Sequence, residues 1–258
     1  MILTSLQNPK LKLLRALHAR KERQKQQRFL LETTTLLEEA RRWNWPIAEV
    51  FATPTWLERH GTHWNAPVTV VAESIFPQLV TTETPEGVVA LAPIPTPASL
   101  PELAPDSLFV ALDALQDPGN LGTVIRTADA AGAQAILLGK GTVDPYSPKV
   151  VRSTMGSLFH LPLIPLPDLY SALDLLADRG ATLVATSLGA TKSLYDLDLR
   201  GPTVWLIGNE SQGLSEAALA HATTQIRIPM PGHAESLNAA VAAAVCLFET
   251  VRQRMPQA

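Results

Sequence analysis

Short apolar runs alternate with helix-like stretches from residue 108 onward, and this rhythm limits the possible folds more than any other feature. "LFVALD" (108–113) and "AILLG" (135–139) flank a helical pattern over 120–131, and "TLVATS", "TVWLIG" and "TQIRIP" follow. Further helices are predicted over 148–157, 168–179, 215–221 and 236–254. Strands alternating with helices predict an α/β domain with a mainly parallel sheet. Ligands of such sheets gather beyond the carboxyl ends of the strands.

The first hundred residues read as a smaller mixed domain. Pro9 opens a helix with Leu11, Leu14 and Leu17 on one face and bases on the other. "RFLLE", "IAEVFAT", "VTVVA" and "GVVALAP" are strand candidates, and "TTTLLEEARRW" is a helix with threonine start signals. Four of the five tryptophans (Trp43, Trp45, Trp56 and Trp64) lie here. They suit either base stacking or packing, with packing the default. "APIPTPASLPELAPDS" holds five prolines and little periodicity, so it reads as a stiff linker. The expected division is 1–92, a linker over 93–106, and 107–258.

The net charge is −3, but residues 10–28 alone carry +7, which leaves −10 for the rest. Such polarity draws polyanions to one end in a salt-sensitive way, although a charge run is more often a solvated helix face. Cys246 is the only cysteine. It excludes an intrachain disulfide and a cysteine-based zinc cluster, and within "AAVCLFE" it reads as a buried apolar residue. No secretory leader or membrane-length apolar run is visible, so a cytoplasmic protein is expected.

Three loops carry the chemistry. "DPGNLGTVIRTADAAG" (117–132) makes Asn120 an N-cap candidate. Leu121, Val124, Ile125 and Ala128 form one helix face, with Arg126 well away from it. Arg126 either projects into a site or pairs with Asp129. "WLIGNESQGLSEAAL" (205–219) ends a strand at Gly208, places Asn209 and Glu210 at its carboxyl end, and uses Gly213 for a tight turn. In "IRIPMPGHAESLNAAVAAAVCLFE" (226–249), Ser236 is the cap expected for the last helix. Leu237, Val241, Ala244, Val245 and Phe248 are expected to face the core. No hydrolase pattern surrounds Ser236, and no glycine-rich nucleotide signature follows the first strand of this domain.

Together, "DPGNLGTVIRTADAAG", "LIGNESQGLS" and "IPMPGHAESLNAAVAAA" resemble the three motifs of the SpoU/TrmH-type RNA ribose 2′-O-methyltransferases, a branch of the SPOUT class. The likeness covers 107–254. The N-terminal "TSLQNPKLKLLRALHARKERQKQQRFLLE" resembles the ribosomal-protein-like α/β substrate-binding extension of rRNA-modifying members. One departure is Glu32-Thr33, where the family has Glu-Gly.

The resemblance implies a deep C-terminal trefoil knot, a rare topology, and a homodimer that binds S-adenosylmethionine. It assigns cofactor binding to Thr186, Ser187, Leu188, Gly208, Asn209, Glu210, Gly213, Ile228, Met230, Ser236 and Leu237. It assigns the chemistry to Arg126, supported by Asn120, Glu210, Ser236 and Asn238. RNA phosphates would meet Lys10, Lys12, Arg15, Arg20, Lys21, Arg23, Lys25, Arg28, Lys149 and Arg152. No metal and no membrane are implied. Large-subunit rRNA is the expected substrate. The rivals are a tRNA ribose methyltransferase, or a non-catalytic RNA-binding assembly factor on the same scaffold.

Overall fold

The computed structural model describes residues 2–256. They form two compact units, one of 2–96 with 144–160, the other of 97–143 with 161 onward. The expected division misses one feature: residues 144–160 lie inside the stretch assigned to the second domain yet pack within the first unit.

In the first unit five strands are ordered β1 (Ile2–Leu3), β4 (Val68–Val71), β3 (Glu49–Ala52), β5 (Val88–Pro93) and β2 (Arg28–Leu31). β2 and β3 flank β5 antiparallel, and the β3–β4 and β4–β1 pairs are parallel. Side chains alternate between the two faces. Phe29, Leu31, Val50 and Ala52 join one cluster, whereas Leu30, Phe51, Val89 and Leu91 join the other. The second cluster is closed by Leu11, Leu14 and Leu17, all fully buried, from helix α1 (Pro9–Ala16) and its end. The first is closed by α3 (Thr34–Arg42), α4 (Pro54–His60) and the returning segment, through Leu37, Trp56, Val151, Leu158 and Phe159. The starts of α1, α3 and α4 have a chemical cause. Asn8, Thr33 and Thr53 accept backbone N–H bonds as caps, and Pro9 and Pro54 take the first turn.

The basic run divides into α1 and α2 (Arg20–Gln26), and Arg23 corrects the sequence reading. Its side chain is buried. Two guanidinium nitrogens meet Asp144 at 2.9 and 2.6 Å, and a third binds the carbonyls of Leu17 and His18 at 2.7 and 2.8 Å. Arg23 therefore satisfies the open carbonyls after α1 and cannot reach RNA. Arg152, on α6 (Pro148–Ser153), is likewise committed, to the buried carboxylate of Glu32 at 2.5 Å and to Thr81 at 2.6 Å. Lys10 pairs with Glu49. Lys12, Arg15, Arg20, Lys21, Lys25, Arg28 and Lys149 are exposed.

In the second unit six strands are all parallel, in the order β11 (Thr224–Ile226), β9 (Thr182–Thr186), β10 (Thr203–Ile207), β6 (Leu108–Leu112), β7 (Ala135–Leu138) and β8 (Leu163–Pro165). β6, β7 and β10 are buried along their whole length, as their unbroken apolar runs require. α7 (Leu169–Asp178) and α8 (Glu216–His221) cover one face with Leu173, Leu176 and Ala218. α5 (Pro118–Ala130) packs on α9 (Ala239–Arg254), and α9 contacts β10. Buried Trp205 on β10 donates its indole N–H to Thr250 of α9 at 3.0 Å. Cys246 is buried, and burial pushes its thiol well above the ordinary range.

The face of α9 differs from the expected one. Ala240, Ala243, Cys246 and Leu247 are buried, whereas Val241 and Phe248 are about half exposed (49% and 50%), Leu237 is exposed, and Ala244 and Val245 are half-buried. The short strands β1 and β8 and the helix α4 are structured although the sequence patterns did not mark them.

Asp144 is the carboxylate facing a buried guanidinium, so Asp144→Ala leaves a buried charge unpaired. We expect urea denaturation to show a loss of about 3–5 kcal/mol. Neutralising the exposed Arg200–Asp198 pair should produce no measurable change. Equal effects would mean that the Arg23 pair behaves as a solvated one.

Candidate active site

Strand order reverses between β6 and β10, and the loops after these two strands are bonded together. After β6, Asp113 accepts from the backbone N–H of Ser215 at 2.9 Å. Ala114 turns the chain in the left-handed region, and its carbonyl accepts from the Asn209 amide at 3.1 Å. The backbone N–H groups of Gln116 and Asp117 then donate to the Glu210 carboxylate at 3.2 and 2.8 Å. The same carboxylate accepts from the Asn120 side-chain amide at 3.1 Å. The Asn120 carbonyl oxygen in turn accepts from Asn238 at 2.9 Å. One chain of hydrogen bonds thus joins three loops that are distant in sequence.

Two capping assignments change. Asp117, not Asn120, caps α5, accepting from the Asn120 N–H at 2.8 Å. Asn238, not Ser236, caps α9, accepting from Ala240 and Val241 at 2.9 and 3.3 Å. Both asparagines therefore use their backbone or one side-chain oxygen to fix a helix start and use the rest of the amide to link the loops.

Glu210 is held below the ordinary carboxylate range. Burial alone would raise it, but donors from Asn120, Asp117, its own backbone and Gln116 together outweigh burial. With these donors in place, Glu210 is a fixed anionic clasp rather than a base awaiting a proton.

The glycines of this loop serve close approach. A Cβ on Gly208 would lie 2.2–2.3 Å from backbone atoms of Gly213 and Leu214, so only glycine fits. Asn209 and Gly213 exchange two backbone bonds, both 2.9 Å, across this tight loop. Gly213 itself has a φ of +70° with open space around it.

Beside this junction lies a cavity of about 470 Å³, within the usual span for small-molecule sites. Its walls come from the ends of β9, β10 and β11 and from the approach to α9. Thr186, Ser187, Leu188, Gly208, Asn209, Glu210, Gly213, Ile228, Met230, Ser236 and Leu237 all line it. Asn120, Asn238 and Arg126 do not. The first two are tied to Glu210, directly or through one amide, whereas Arg126 is exposed on α5, about 9 Å along the helix from Asn120. Among the described residues no hydrogen bond or ion pair fixes the Arg126 guanidinium. Arg227 also lines the cavity and was not singled out from sequence, although it directly follows Ile226, the buried last residue of β11. Leu188 and Leu237 expose apolar surface (70% and 36%) at a cavity also lined by Thr186, Ser187, Asn209, Arg227 and Ser236. Apolar surface interleaved with polar groups suits a flat heteroaromatic ring and its polar edges.

Residues 107–248 match the SpoU rRNA Methylase family, and residues 8–90 match the MRM3-like substrate binding domain. The chain belongs to the SpoU methylase family. Across 98% of its length it is 38% identical to an uncharacterized tRNA/rRNA methyltransferase of Synechocystis sp., covering 94% of that protein. Across 95% of its length it is 35% identical to the 23S rRNA (guanosine(2553)-2′-O)-methyltransferase RlmP of Bacillus subtilis, covering 96% of that protein. The solved AdoMet-bound rRNA methyltransferase from Sinorhizobium meliloti matches it with a TM-score of 0.88 and 34% identity, covering 99% of both chains. As a family member the protein is an RNA ribose 2′-O-methyltransferase that takes its methyl group from S-adenosylmethionine. Among the described residues no helix is long and apolar enough to cross a membrane, and no group of three or more His, Cys, Asp or Glu could hold a metal.

Gly208→Ala should abolish S-adenosylmethionine binding in calorimetry, because backbone must move to admit the methyl group. Gly213→Ala should weaken it less, since only backbone strain opposes it. The reverse order would show that the 208–214 turn does not shape the cavity. Because Glu210 is depressed, its contribution to stability is complete above about pH 5 and is lost as pH falls through its folded value. Glu210→Gln should therefore flatten the acid limb of the stability curve below about pH 5. An unchanged limb would remove Glu210 from the clasp.

Proposed function

We propose that the protein methylates a ribose 2′-hydroxyl in large-subunit rRNA, acting as a homodimer whose catalytic half is knotted. The observation that carries the reading is the Glu210–Asn120–Asn238 chain beside a cavity lined by every residue assigned to the cofactor. The full-length likeness to a 23S rRNA enzyme and the substrate-binding match favour rRNA over tRNA.

Thr186, Ser187 and Leu188 form one wall of the cofactor site, and Gly208, Ile228, Met230 and Leu237 form others. When bound, S-adenosylmethionine supplies a methyl group already made electrophilic by its sulfonium. The protein's task is to orient the hydroxyl and stabilise the charge that develops on its oxygen. Arg126 does this: its guanidinium grips the RNA phosphate and faces the emerging alkoxide. It is a poor base because guanidinium stays protonated. Glu210 is saturated with donors and the asparagine amides are neutral, so the proton leaves to the RNA phosphate or to water. Asn120, Glu210 and Asn238 are positioning residues that set the start of α5, the helix carrying Arg126.

The knot reading is supported where the chain after β11 passes the 187–194 loop. There the Arg227 N–H donates to the Lys192 carbonyl, and the Leu194 N–H donates to the Arg227 carbonyl, both at 2.9 Å. The homodimer reading is supported by the Val241 and Phe248 stripe on α9, an apolar surface at helical spacing that the protein's own core does not cover. RNA phosphates are met by the exposed cations of α1 and α2, without Arg23.

Labelled-methyl transfer to rRNA tests the activity directly. Arg126→Ala should reduce turnover by about 10²- to 10³-fold with cofactor affinity unchanged, and wild-type turnover would reject the assignment. The paired change Lys21→Gln and Lys25→Gln should lower the slope of log affinity against log salt by roughly 1.5–2. An unchanged slope would clear α2 of phosphate contact.

A further inference from the structure

Trp43 stands apart from the other four tryptophans. Trp56, Trp64 and Trp205 are buried and Trp45 is half-buried, but Trp43, the residue that ends α3, is 50% exposed. One side of its ring is already taken: His160 packs against it in a tilted contact, with centroids 4.3 Å apart and planes 31° from parallel. His160 is carried by the returning segment, which is anchored by buried Leu158 and Phe159. That segment lies close against the last turn of α3. A Cβ on Gly156, whose φ is +99°, would come within 2.9 Å of the Glu39 side chain, one helical turn before Trp43. Two separate stretches of chain therefore fix the indole in place, so little rotamer freedom remains to be lost when its outer face is covered.

The surroundings are polar. Arg41, Arg42 and Asn44 flank Trp43 in the chain and are exposed, and Asn44 sits in the left-handed region. Arg42 is 74% exposed, and its pair with Glu39 is long at 3.5 Å, so its guanidinium is free to meet a phosphate. Among the described residues of this unit, the large apolar side chains left exposed are Ile2, Trp43 and Met155. That is too little apolar surface for a protein-docking patch. A single held indole beside arginines and an amide instead matches the surface that stacks an unpaired base and grips its phosphate.

We propose that the Trp43–His160 pair is a stacking platform for an unpaired nucleobase of the RNA substrate. This rests on the RNA-methyltransferase reading and adds that the substrate presents a single-stranded or looped nucleotide to the first unit.

The test uses the full-length protein, Trp43→Ala and Trp43→Phe. The probes are single-stranded oligoadenylate of about ten nucleotides and a blunt RNA duplex of about 16 base pairs. We expect Trp43→Ala to bind the single strand about 5- to 100-fold more weakly, with an unchanged salt slope and unchanged duplex affinity. Trp43→Phe should retain most of the affinity, and circular dichroism and melting should confirm that both variants are folded. Unchanged single-strand binding by folded Trp43→Ala overturns the proposal. So does an equal loss on both probes, or a change in oligomeric state, which would make Trp43 a protein contact. If the wild type binds neither probe and methylates no rRNA, the underlying reading fails instead.

Discussion

The carboxylate of Glu210 is the point on which the catalytic half depends. Carboxylates collect several donors easily, and here the donors come from the turn after β6 and from the first helical residues of α5. Asn120 extends the connection to the cap of α9. The interaction is short-range, but it decides the relative placement of three segments, with Asn120 lying 90 residues from Glu210 and 118 from Asn238. A glutamate at a strand end is otherwise an ordinary exposed acid. What makes it a structural centre is that the turn after β6 has backbone N–H groups with no strand partner, and the carboxylate answers them.

The first unit uses the same device with charges of both signs. Arg23 and Glu32 are buried charges, each satisfied by a partner from the returning segment, Asp144 and Arg152. Buried charges contribute little net stability when paired and cost much when unpaired. The pairs therefore specify where the 144–160 segment sits more than they strengthen the unit. Glu32 directly precedes Thr33, where the sequence departs from the family pattern, and its acceptance of the Thr81 N–H and hydroxyl bonds fixes that region locally.

Much of this was legible in the sequence, for reasons that particular residues make plain. The strands over 108–112 and 203–207 were readable because burial on both faces demands an unbroken apolar run. Leu11, Leu14 and Leu17 were readable because a helix with one buried face repeats at that spacing. Arg23 was not, since a cation in a basic run looks the same whether it is solvated or locked beneath a helix end. The face of α9 was misread because alanines dominate it. Ala240 and Ala243 permit close packing and so became the core side, whereas the larger Val241 and Phe248, which look like core residues, stayed outside. Ser236 and Asn238 are both good caps, and a two-residue choice between them depends on the Asn120 partner that only the fold supplies. The return of 144–160 depends on two ion pairs spanning about 120 positions, which no local pattern encodes.

The distribution of committed and uncommitted groups separates the site's roles. Asn120, Asn209, Glu210 and Asn238 all spend their side chains on other parts of the protein, so none is left to exchange protons during a reaction. The cavity walls beside them mix apolar residues such as Leu188, Ile228 and Leu237 with polar ones such as Thr186, Ser187 and Ser236. Arg126 is different: it rides on the helix these groups align, exposed and without a protein partner among the described residues. A site built this way pays its ordering cost during folding. In the proposed reading one cation, Arg126, settles against the arriving substrate, and the surrounding dipoles are already in place.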